Sequence, residues 1–406
     1  MKNVPYALLA AAVLSSLQAN AAGFQVAETS ASGLGRAFSG EAVVADNASV
    51  LARNPAALTR FKQASVSAGM NFVQPEIDVA DMTTMQQADD IAPSALIPNA
   101  YYAAPINDKW SWGVGLFTVY GVATDYPDNL NAGDLAGDTS LMSVNLNPSI
   151  AYRINDQWSI GGGLNLIYAE AELNRHWGAL SAINPLLSPE DKLLGLKGDT
   201  WAWGWNAGLM YEINESHRFG FGYRAEVALD FDDGDFTDTD GSKKKAQLDM
   251  DLPAIWEFSG FHQLTDVVAL HYSYVRTQWS TFKELKATSD QCANNGVCFV
   301  KKENYDDSAR WSLGSTLTLN EQWVARVGLA LDEQAGEPTL GIPDADRFWY
   351  SVGLGYQPNA HWAFDLGFTY VDSDTNRFNE LSQAGNYQFE AKGYAYIVGL
   401  QASYQF

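Results

Sequence analysis

The connections between hydrophobic stretches constrain this 406-residue chain most strongly, because they alternate between two lengths. Six of them are tight turns rich in Asn and Asp, whose side chains bond the local backbone and tolerate unusual dihedral angles. Seven are long and polar or irregular, so the alternation predicts fourteen strands. The turns are INDKW (106–110), INDQW (154–158), INESHRF (213–219), QLTDVV (263–268), LNEQW (319–323) and QPNAHW (357–362); the long segments fall near 77–97, 122–138, 173–198, 231–246, 280–306, 332–346 and 373–388.

The predicted strands separate two kinds of residue onto opposite faces. In WAWGWNAGLMY (201–211) one face carries Trp201, Trp203 and Trp205, and the other carries small residues and Asn206. A soluble sandwich also alternates with a period of two, but its apolar face points into a core. An even number of strands, with short turns at one end and long loops at the other, is typical of an outer-membrane barrel. We therefore predict an all-β fold, a 14-stranded antiparallel transmembrane β-barrel, whose closure leaves no sheet edge unpaired in hydrocarbon.

The two ends of the chain indicate the compartment. Residues 1–21 combine a positive start at Lys2, an apolar run too short to span a bilayer and small residues at 19–21, as in a secretory signal peptide. The final strand, YAYIVGLQASYQF, is amphipathic and ends on Phe406, which resembles the signal that directs barrels to the bacterial outer membrane. The predicted location is the outer membrane of a Gram-negative cell, crossed many times by strands.

Composition excludes several partners and cofactors. The net charge of −23 argues against nucleic acid, because a phosphate binder needs a basic face. The acidic run LDFDDGDFTDTDG (229–241) lacks the spacing of an EF-hand, and no Cys/His pairing suggests a metal, so we expect neither a metal nor another cofactor. Cys292 and Cys298 bracket five residues, and in an oxidising compartment we expect them to close a small disulfide loop.

Signals for catalysis are poor. The five histidines are scattered, and by phase His271 points into the lumen with no evident serine partner nearby. An outer-membrane phospholipase would need a Ser/His pair that faces lipid. We therefore expect that the protein is not an enzyme.

The region before the first strand narrows the function. AGFQVAETSASGLGRAFSGEAVVADNASVLARNPAAL (22–58) resembles the N-terminal plug of the outer-membrane long-chain fatty-acid transporter family (FadL; OmpP1/FadL/TodX-type barrels). The predicted domains are the signal peptide at 1–21 and, as the resemblance implies, a plug or hatch at 22–63 inside the lumen and a barrel at 64–406. Further matches are TVYGVAT (118–124), WGWNAG (203–208), IPDADRFW (342–349) and YQFE (387–390).

The plug motif Asn54, Pro55 and Ala56 interrupts regular structure and allows a compact fold rather than another strand. Arg53 and Arg60 are expected to anchor the plug to carboxylates of the inner wall. Charges that face inward by phase are expected to pair with one another and brace the plug. They are Arg153, Arg224, Arg310, Arg326, Arg347, Glu226, Glu257, Asp332 and Asp365.

For the ligand site, the resemblance implies a high-affinity pocket with Arg175 and Phe24. Arg175 falls on the luminal phase of its strand, and a buried carboxylate needs such a cation. A second basic position of the family falls at Asp306, which puts the carboxylate clamp and the preference for fatty acids in question.

The loop at 173–198 is unusually apolar and predicts a ligand-capture groove. Its members are Leu180, Ile183, Leu186, Leu187, Leu193 and Leu194; the alternative is that these residues only pack the loop against its neighbours. SPED (188–191) predicts the start of a short helix there.

Glycine within a strand often marks a kink. Tyr120, Gly121 and Ala123 lie where the family opens its wall, and they predict the lateral opening. The alternative is that Gly121 simply ends the strand.

The predicted function is uptake of hydrophobic compounds, above all long-chain fatty acids, by surface capture, binding in an apolar luminal pocket and lateral release. One alternative is uptake of monoaromatic hydrocarbons by the same fold. Another is a surface receptor or structural barrel that transports nothing. The expected partners are the hydrophobic ligand and outer-membrane lipids, and we expect a monomer.

Overall fold

The computed structural model describes residues 23–406, so the predicted signal peptide lies outside the described residues. Fourteen antiparallel strands form one sheet, which closes because the last strand pairs with the first from Ser65↔Gln405 to Asp81↔Phe389. The predicted barrel is thereby confirmed. The strands are β1 Ser65–Asp81, β2 Ala95–Pro105, β3 Trp110–Phe117 with Gly121–Thr124, β4 Thr139–Arg153, β5 Trp158–His176, β6 Lys192–Asn214, β7 His217–Arg224 with Val227–Thr237, β8 Lys243–Leu252 with Ile255–Gln263, β9 Val268–Thr277 with Glu284–Thr288, β10 Val297–Lys302 with Ser308–Thr318, β11 Trp323–Asp332, β12 Arg347–Tyr356, β13 Trp362–Ser382 and β14 Gly385–Gln405.

Other regular structure is short. A three-residue strand, Gln86–Ala88, folds back onto the end of β1. No helix within residues 23–406 is long and apolar enough to cross a membrane. The α-helices are Ala31–Leu34 and Ala293–Gly296, and the 3₁₀ helices are Ala48–Ala52, Pro55–Arg60, Gly178–Ile183 and Trp279–Thr281.

All six predicted tight turns connect neighbouring strands, and they share one local mechanism. In each turn a side-chain oxygen accepts a hydrogen bond from the backbone amide three residues later, which starts the next strand. The donor–acceptor distances lie between 2.9 and 3.1 Å. The capping residues are Asn107, Asn155, Asn214, Thr265, Asn320 and Asn359.

The predicted bounds of two long loops are wrong. Strands β7 and β8 run through most of 231–246, and β13 and β14 meet at Ser382 and Gly385, inside the predicted loop 373–388. Phe231, Phe236 and Leu248 are buried on the inner face of this extension, whereas the residues between them include exposed acids. Because the outer face of these strands is polar at 231–246, the composition of this region resembles that of a loop.

Along the strands, the apolar face points away from the barrel. Trp201, Trp203 and Leu400 are exposed, with Trp203 at 76%, while Ala202 and Gly204 on the other face are buried. In an outer-membrane barrel such side chains contact lipid. The predicted alternation is therefore confirmed.

The N-terminal segment, residues 23–63, is almost entirely buried and contacts inward-facing residues of strands around the barrel. Backbone approaches backbone at luminal glycines: a Cβ added to Gly328 would lie 2.1 Å from the carbonyl carbon of Arg36, and one added to Gly222 would lie 2.1 Å from the carbonyl oxygen of Arg53. Only residues without a side chain allow this distance. The inner wall is thus shaped to the backbone of this segment.

Ion pairs hold the same segment. Arg53 approaches Glu257 at 3.8 Å and Arg60 pairs with Glu212, so both predicted anchors are present. Asp46 bridges Arg36 of the segment (2.7 Å) and Arg326 of the wall (3.4 Å).

Wall charges also pair among themselves, as predicted, for example Arg326 with Asp365 at 2.7 Å and Arg310 with Asp332 at 3.4 Å. The inward placement of Glu226 is wrong. The strand is interrupted at Ala225–Glu226, which changes the phase and leaves Glu226 exposed.

Asn54 explains how the chain turns at the predicted motif. It caps the 3₁₀ helix Pro55–Arg60, where its side chain accepts from Ala56 N at 3.0 Å. The same amide donates to Ala42 O (2.7 Å) and Leu209 O (3.0 Å), joining the segment to itself and to β6.

Two adjacent glycines test the fit of the wall. A Cβ on Gly161 would lie 2.6 Å from the backbone of Pro55 and Ala56, whereas a Cβ on Gly162 would meet its nearest neighbour at 3.6 Å. We expect Gly161→Ala to destabilise the folded protein by about 1–3 kcal/mol through overpacking. Gly162→Ala is the matched control and should change stability by less than about 0.5 kcal/mol. Urea unfolding of both variants in detergent measures the difference; equal stabilities would contradict the close fit.

Candidate functional site

The wall of the barrel is interrupted between β2 and β3. Their pairing runs from Pro105↔Ser111 only to Ala100↔Leu116. Above this point, among the described residues, the only barrel strand that Gly121–Thr124 pairs with is β4, and the only one that 95–99 pairs with is β1. The far side is bounded by Ile91, which donates to Ile77 O (2.9 Å) and accepts from Asp125 N (2.8 Å). We call the opening between 95–99 and 118–124 the wall gap.

The N-terminal segment supplies the backbone partners that β3 lacks at this point. Val26 N donates to Val119 O at 2.7 Å, and Gly121 N donates to Phe24 O at 3.0 Å. A Cβ on Gly121 would make only ordinary contacts, at 3.4 Å or more. The interruption of β3 is therefore associated with its pairing to the N-terminal segment and does not require glycine at 121.

Phe24 lies in a cluster of aromatic rings. Its ring centroid is 4.5 Å from that of Trp279, 5.3 Å from Phe282 and 6.1 Å from Tyr120. Tyr120, one of the residues predicted at the lateral opening, is itself buried, and its hydroxyl donates to Pro253 O. The cluster connects the broken strand to the first residues of the N-terminal segment.

Gly23 is held by a charged pair from the loop 333–346 and the start of β12. Asp344 Oδ2 accepts from Gly23 N at 2.8 Å, and Arg347 donates to Gly23 O at 3.4 Å. Asp344 and Arg347 pair with each other at 2.8 Å. Together with the bond from Val26 N to Val119 O, these contacts fix the chain on both sides of Phe24.

Two cavities adjoin Phe24, and it lines both of them. The Arg175 pocket, of about 40 Å³, has an apolar lining that includes Leu141, Leu173, Leu248 and Phe282. The central cavity, of about 240 Å³, reaches Gly121–Thr124 at the wall gap and is lined by both apolar and charged side chains. Phe24 therefore stands between a small apolar pocket and a larger cavity next to the interrupted wall.

Arg175 is 1% exposed and lies on the luminal face of β5, as its phase predicts. Its hydrogen bonds to described residues are all made by Nη1: to Asn174 O (2.7 Å), Thr139 Oγ1 (3.2 Å) and Asp138 O (3.3 Å). Nη2 lies beside Gly341, since a Cβ there would be 3.5 Å from it. Arg175 and Phe24, predicted together, do line one pocket.

A second cation does line this pocket, but at a different position from the one considered in the sequence. The Nζ of Lys301 would lie 3.2 Å from a Cβ on Gly341, so Lys301 and Arg175 flank the same residue. Glu380 (3.5 Å) and Glu303 (3.9 Å) are its nearest acids. Asp306 is exposed and does not line the pocket. Lys301 was missed because strand β10 is interrupted at 303–307. The alternation of inward and outward residues that places Arg310 inside the barrel therefore cannot be extended back to Lys301.

The predicted capture residues separate into two groups. Ile183 (74% exposed) and Leu186 (91%) project from the loop after β5, with Leu180 and Leu187 partly buried beside them. Leu193 and Leu194 instead belong to β6, and Leu194 is the register partner of Arg175. The predicted helix at SPED is wrong: Asp191 Oδ2 accepts from Ser188 N at 2.7 Å, which closes a turn just before Lys192 begins the strand.

Two other predicted features have definite positions. Cys292 and Cys298 are bonded to each other, with Cα atoms 5.2 Å apart. His271 does have a serine partner, contrary to expectation, because Ser39 Oγ lies 2.7 Å from its Nδ1. Ser39 donates to Arg36 O (2.7 Å), and both side chains are fully buried, so the pair does not face lipid. Within residues 23–406, no group of three or more His, Cys, Asp or Glu residues has a geometry that could hold a metal ion.

The family is identified by comparison with known proteins. Residues 12–406 match the family described as outer membrane protein transport protein (OMPP1/FadL/TodX). The chain belongs to this family. The long-chain fatty acid transport protein of Escherichia coli O6:H1 is 38% identical to it over 440 residues, with 98% of each chain covered. Outer membrane protein P1 of Haemophilus influenzae is 36% identical over 462 residues, with 100% of each covered.

Solved structures agree on the fold of this OMPP1/FadL/TodX-type protein. A Pseudomonas aeruginosa FadL homologue matches with a TM-score of 0.84 at 22% identity, covering 95% of this chain and 100% of that one. The Pseudomonas putida toluene transporter TodX matches with a TM-score of 0.68 at 16% identity and the same coverage. The protein is an outer-membrane β-barrel transporter of hydrophobic compounds, and its family is one of transporters rather than enzymes.

The loop that holds Gly23 contains a carboxyl group whose charge changes near neutral pH. Burial, followed by repulsion from Asp374, Asp344, Glu333 and Asp332, raises the pKa of Asp346 to about 7. Asp346 Oδ1 accepts from Gln334 N at 3.3 Å, so it also stabilises the start of the loop. Since its pKa is raised above the ordinary value, the contribution of Asp346 to stability is complete below about pH 4 and is lost as the pH rises from there to about 7.

We therefore expect loop 333–346 to lose order between about pH 4, the ordinary pKa of an aspartate, and about pH 7, the raised pKa of Asp346. Amide hydrogen exchange, expressed as protection factors that correct for the intrinsic effect of pH, should show falling protection at Gln334 and Ala335. Asp346→Asn should remove this dependence, and Asp306→Asn, which alters an exposed acid, should keep it. Protection that does not change with pH in the wild type would contradict the assignment.

Proposed function

We propose that the protein takes up long-chain fatty acids across the outer membrane. The ligand is captured at the extracellular surface, bound with its carboxylate at the Arg175 pocket, and released sideways through the wall gap. The observation that carries the proposal is the pair of cations, Arg175 and Lys301, that flank Gly341 and line a mainly apolar pocket inside the barrel, which also contains Glu172 and Glu303. Charge-assisted hydrogen bonds to a carboxylate are among the strongest that a protein makes.

The size of the pocket supports a route that continues past Phe24. At about 40 Å³, the Arg175 pocket is too small for a long acyl chain. A chain whose head group sits between Arg175 and Lys301 must extend into the central cavity, where each buried methylene contributes about 0.8 kcal/mol. On this proposal the side chain of Phe24 moves aside when the ligand enters.

The N-terminal segment acts in this proposal as the plug that prevents a free aqueous path through the lumen. Its burial, its contacts with glycines of the wall and its ion pairs support this role. A plugged lumen directs the ligand to the wall gap, where Ala123 is exposed and also lines the central cavity. Release at that position would deliver the ligand to the lipid phase.

Capture at the surface is supported by the two exposed side chains of the loop after β5. Ile183 and Leu186 are solvent-exposed apolar groups, and such groups commonly mark interaction surfaces when they are clustered. The partly buried Leu180 and Leu187 would complete the groove, together with Leu193 and Leu194 at its base.

Uptake of monoaromatic hydrocarbons is the second candidate function. The cluster of Trp279, Phe282 and Tyr120 around Phe24 favours it, because these rings would pack equally well against an aromatic ligand that replaced the Phe24 ring. Such a ligand needs no cation, so the dependence of binding on Arg175 and Lys301 separates the two candidates.

The carboxylate clamp can be tested with matched ligands. Arg175→Ala and Lys301→Ala should each weaken oleate binding by roughly thirtyfold or more, about 2 kcal/mol, since each removes one partner of a buried charge pair. Binding of oleyl alcohol, which has no carboxylate, should change little. Lys197→Ala, which removes an exposed lysine, is the control variant. Isothermal titration in neutral detergent measures the binding of both ligands to the purified wild type and to the three variants.

Equal losses for oleate and oleyl alcohol would contradict the clamp and indicate a disturbed pocket instead. Toluene binding that persists in both variants while oleate never binds would favour the second candidate. A protein that binds neither ligand would favour a surface receptor or structural barrel.

The lateral route can be tested by filling the wall gap. We expect Ala123→Trp to abolish uptake of labelled oleate by cells while leaving oleate binding to the purified protein within about twofold of wild type, because position 123 lines the exit but not the Arg175 pocket. Gly121→Ala, which adds one methyl group at ordinary contact distances, should retain uptake. Normal uptake by Ala123→Trp would exclude release through this gap.

A further inference from the structure

Glu28 is a carboxyl group that the proposed route has not used. It belongs to the N-terminal segment, is 7% exposed and lines the central cavity. No side chain within residues 23–406 donates a hydrogen bond to its carboxylate or forms an ion pair with it within 4.0 Å; its electrostatic neighbours are its own backbone amide, that of Ala27, Arg310 and Arg347. A carboxyl group in such a place is costly unless it is protonated or has a partner.

The other acids of the central cavity each have an arginine. Asp332 pairs with Arg310 at 3.4 Å, and Asp344 pairs with Arg347 at 2.8 Å. Glu257 pairs with Arg53 at 3.8 Å. The three arginines of the cavity are thus matched by three carboxylates, and Glu28 is a fourth carboxyl group without a cation of its own. The charge of the cavity is balanced when Glu28 is protonated and negative when it is ionised.

Burial supports the protonated form. It raises the pKa of Glu28, and the backbone amides of Glu28 and Ala27, together with Arg310 and Arg347, only partly offset this effect. A buried carboxylic acid that keeps its proton can donate a hydrogen bond to an anion, which an ionised carboxylate cannot. Arg310 and Arg347, which line the same cavity, would add attraction, but each already has a carboxylate partner and would not neutralise an anion alone.

We propose that Glu28 is the head-group receptor of a second carboxylate site, in the central cavity between the Arg175 pocket and the wall gap. In its protonated form Glu28 donates one hydrogen bond to the carboxylate of the ligand, and Arg310 and Arg347 stabilise the charge of the pair. When Glu28 loses its proton to solvent, the two like charges repel and the ligand leaves toward the gap. The inference rests on the proposed transport of fatty acids.

The second site differs from the Arg175 pocket in how it responds to pH. The guanidinium of Arg175 is not deprotonated in proteins, so binding through it should not itself depend on a proton. In the central cavity, binding should weaken as the pH rises and Glu28 ionises. The site would therefore hold a long-chain anion in a proton-dependent way at the last step before release.

The test uses the purified full chain in neutral detergent and a fluorescent long-chain fatty acid, displaced by oleate or by a hexadecyl sulfonate whose head group stays charged from pH 6 to 9. Sulfonate displacement should show two phases. In Asp346→Asn, in which loop 333–346 no longer responds to pH, the phase that Arg175→Ala weakens should not depend on pH. The affinity of the other should fall roughly tenfold or more over this range in the wild type.

Glu28→Gln keeps the shape and a hydrogen-bond donor but cannot ionise. It should therefore show the second phase at all pH values, within about twofold of the wild-type affinity at pH 6. Glu28→Ala should lose the phase throughout. Heat-modifiable migration on gels checks that each variant retains the folded barrel. Asp346→Asn removes the carboxyl group of loop 333–346 whose pKa is raised to about 7, so the pH dependence that remains in this variant is the part that comes from Glu28, and we expect it to remain.

Three results would overturn the inference. The first is that the pH dependence of the second phase persists in Glu28→Gln. The second is that this pH dependence disappears in Asp346→Asn. The third is that displacement shows a single phase, which Arg175→Ala removes entirely. In the last case the proposed function stands and only the second site fails. If no long-chain anion binds the wild type at any pH, the proposed function fails as well.

Discussion

Backbone hydrogen bonding in hydrocarbon is the constraint on which the rest of this structure depends. Lipid offers no partner to an open strand edge, so a sheet that crosses the membrane must close on itself. β1 and β14 satisfy this requirement over seventeen register pairs. At the wall gap the pairing between β2 and β3 stops, and there Phe24 and Val26 of the N-terminal segment provide two of the missing backbone bonds to β3. The opening and the segment inside the barrel therefore depend on each other.

The same short stretch also separates the two cavities. Phe24 lines the Arg175 pocket and the central cavity, and its neighbours Gly23 and Val26 are fixed by bonds to Asp344, Arg347 and Val119. A ligand that displaced the Phe24 ring would act on a segment that is also part of the wall. Capture and release, as proposed, would then be coupled through residues 23–26 without a large motion of the remaining segment, which luminal glycines and ion pairs hold in place.

Much of the barrel could be predicted because its local rules are strict. Asn and Thr caps mark every tight turn, and the period of two places Arg175 on the luminal face. Predictions from the alternation of inward and outward residues fail wherever a strand is interrupted. The break at Ala225 exposed Glu226, and the break at 303–307 concealed Lys301 as the second cation.

Contacts between distant parts of the chain left little local signal. The seat for the N-terminal backbone consists of single glycines spread over many strands, such as Gly222 and Gly328. Arg175 and Lys301 both lie beside Gly341, which belongs to a loop more than a hundred and sixty residues after Arg175 in the sequence. Neither relation has a spacing in the sequence that could reveal it, although the resemblance to the family did place Phe24 and Arg175 in one pocket.

The proposed coupling also accounts for a dependence on chain length. Breaking the two backbone bonds between residues 24–26 and β3 leaves buried polar groups unpaired, at a cost of about 1–3 kcal/mol each. Burial of an acyl chain offsets this by about 0.8 kcal/mol per methylene. Roughly three to eight methylenes beyond those needed to enter the pocket would therefore be required before displacement of Phe24 becomes favourable. A short-chain acid could occupy the cations at Arg175 and Lys301 yet lack the apolar surface to open the way to the wall gap, whereas a long-chain acid carries that surface in the part that must pass.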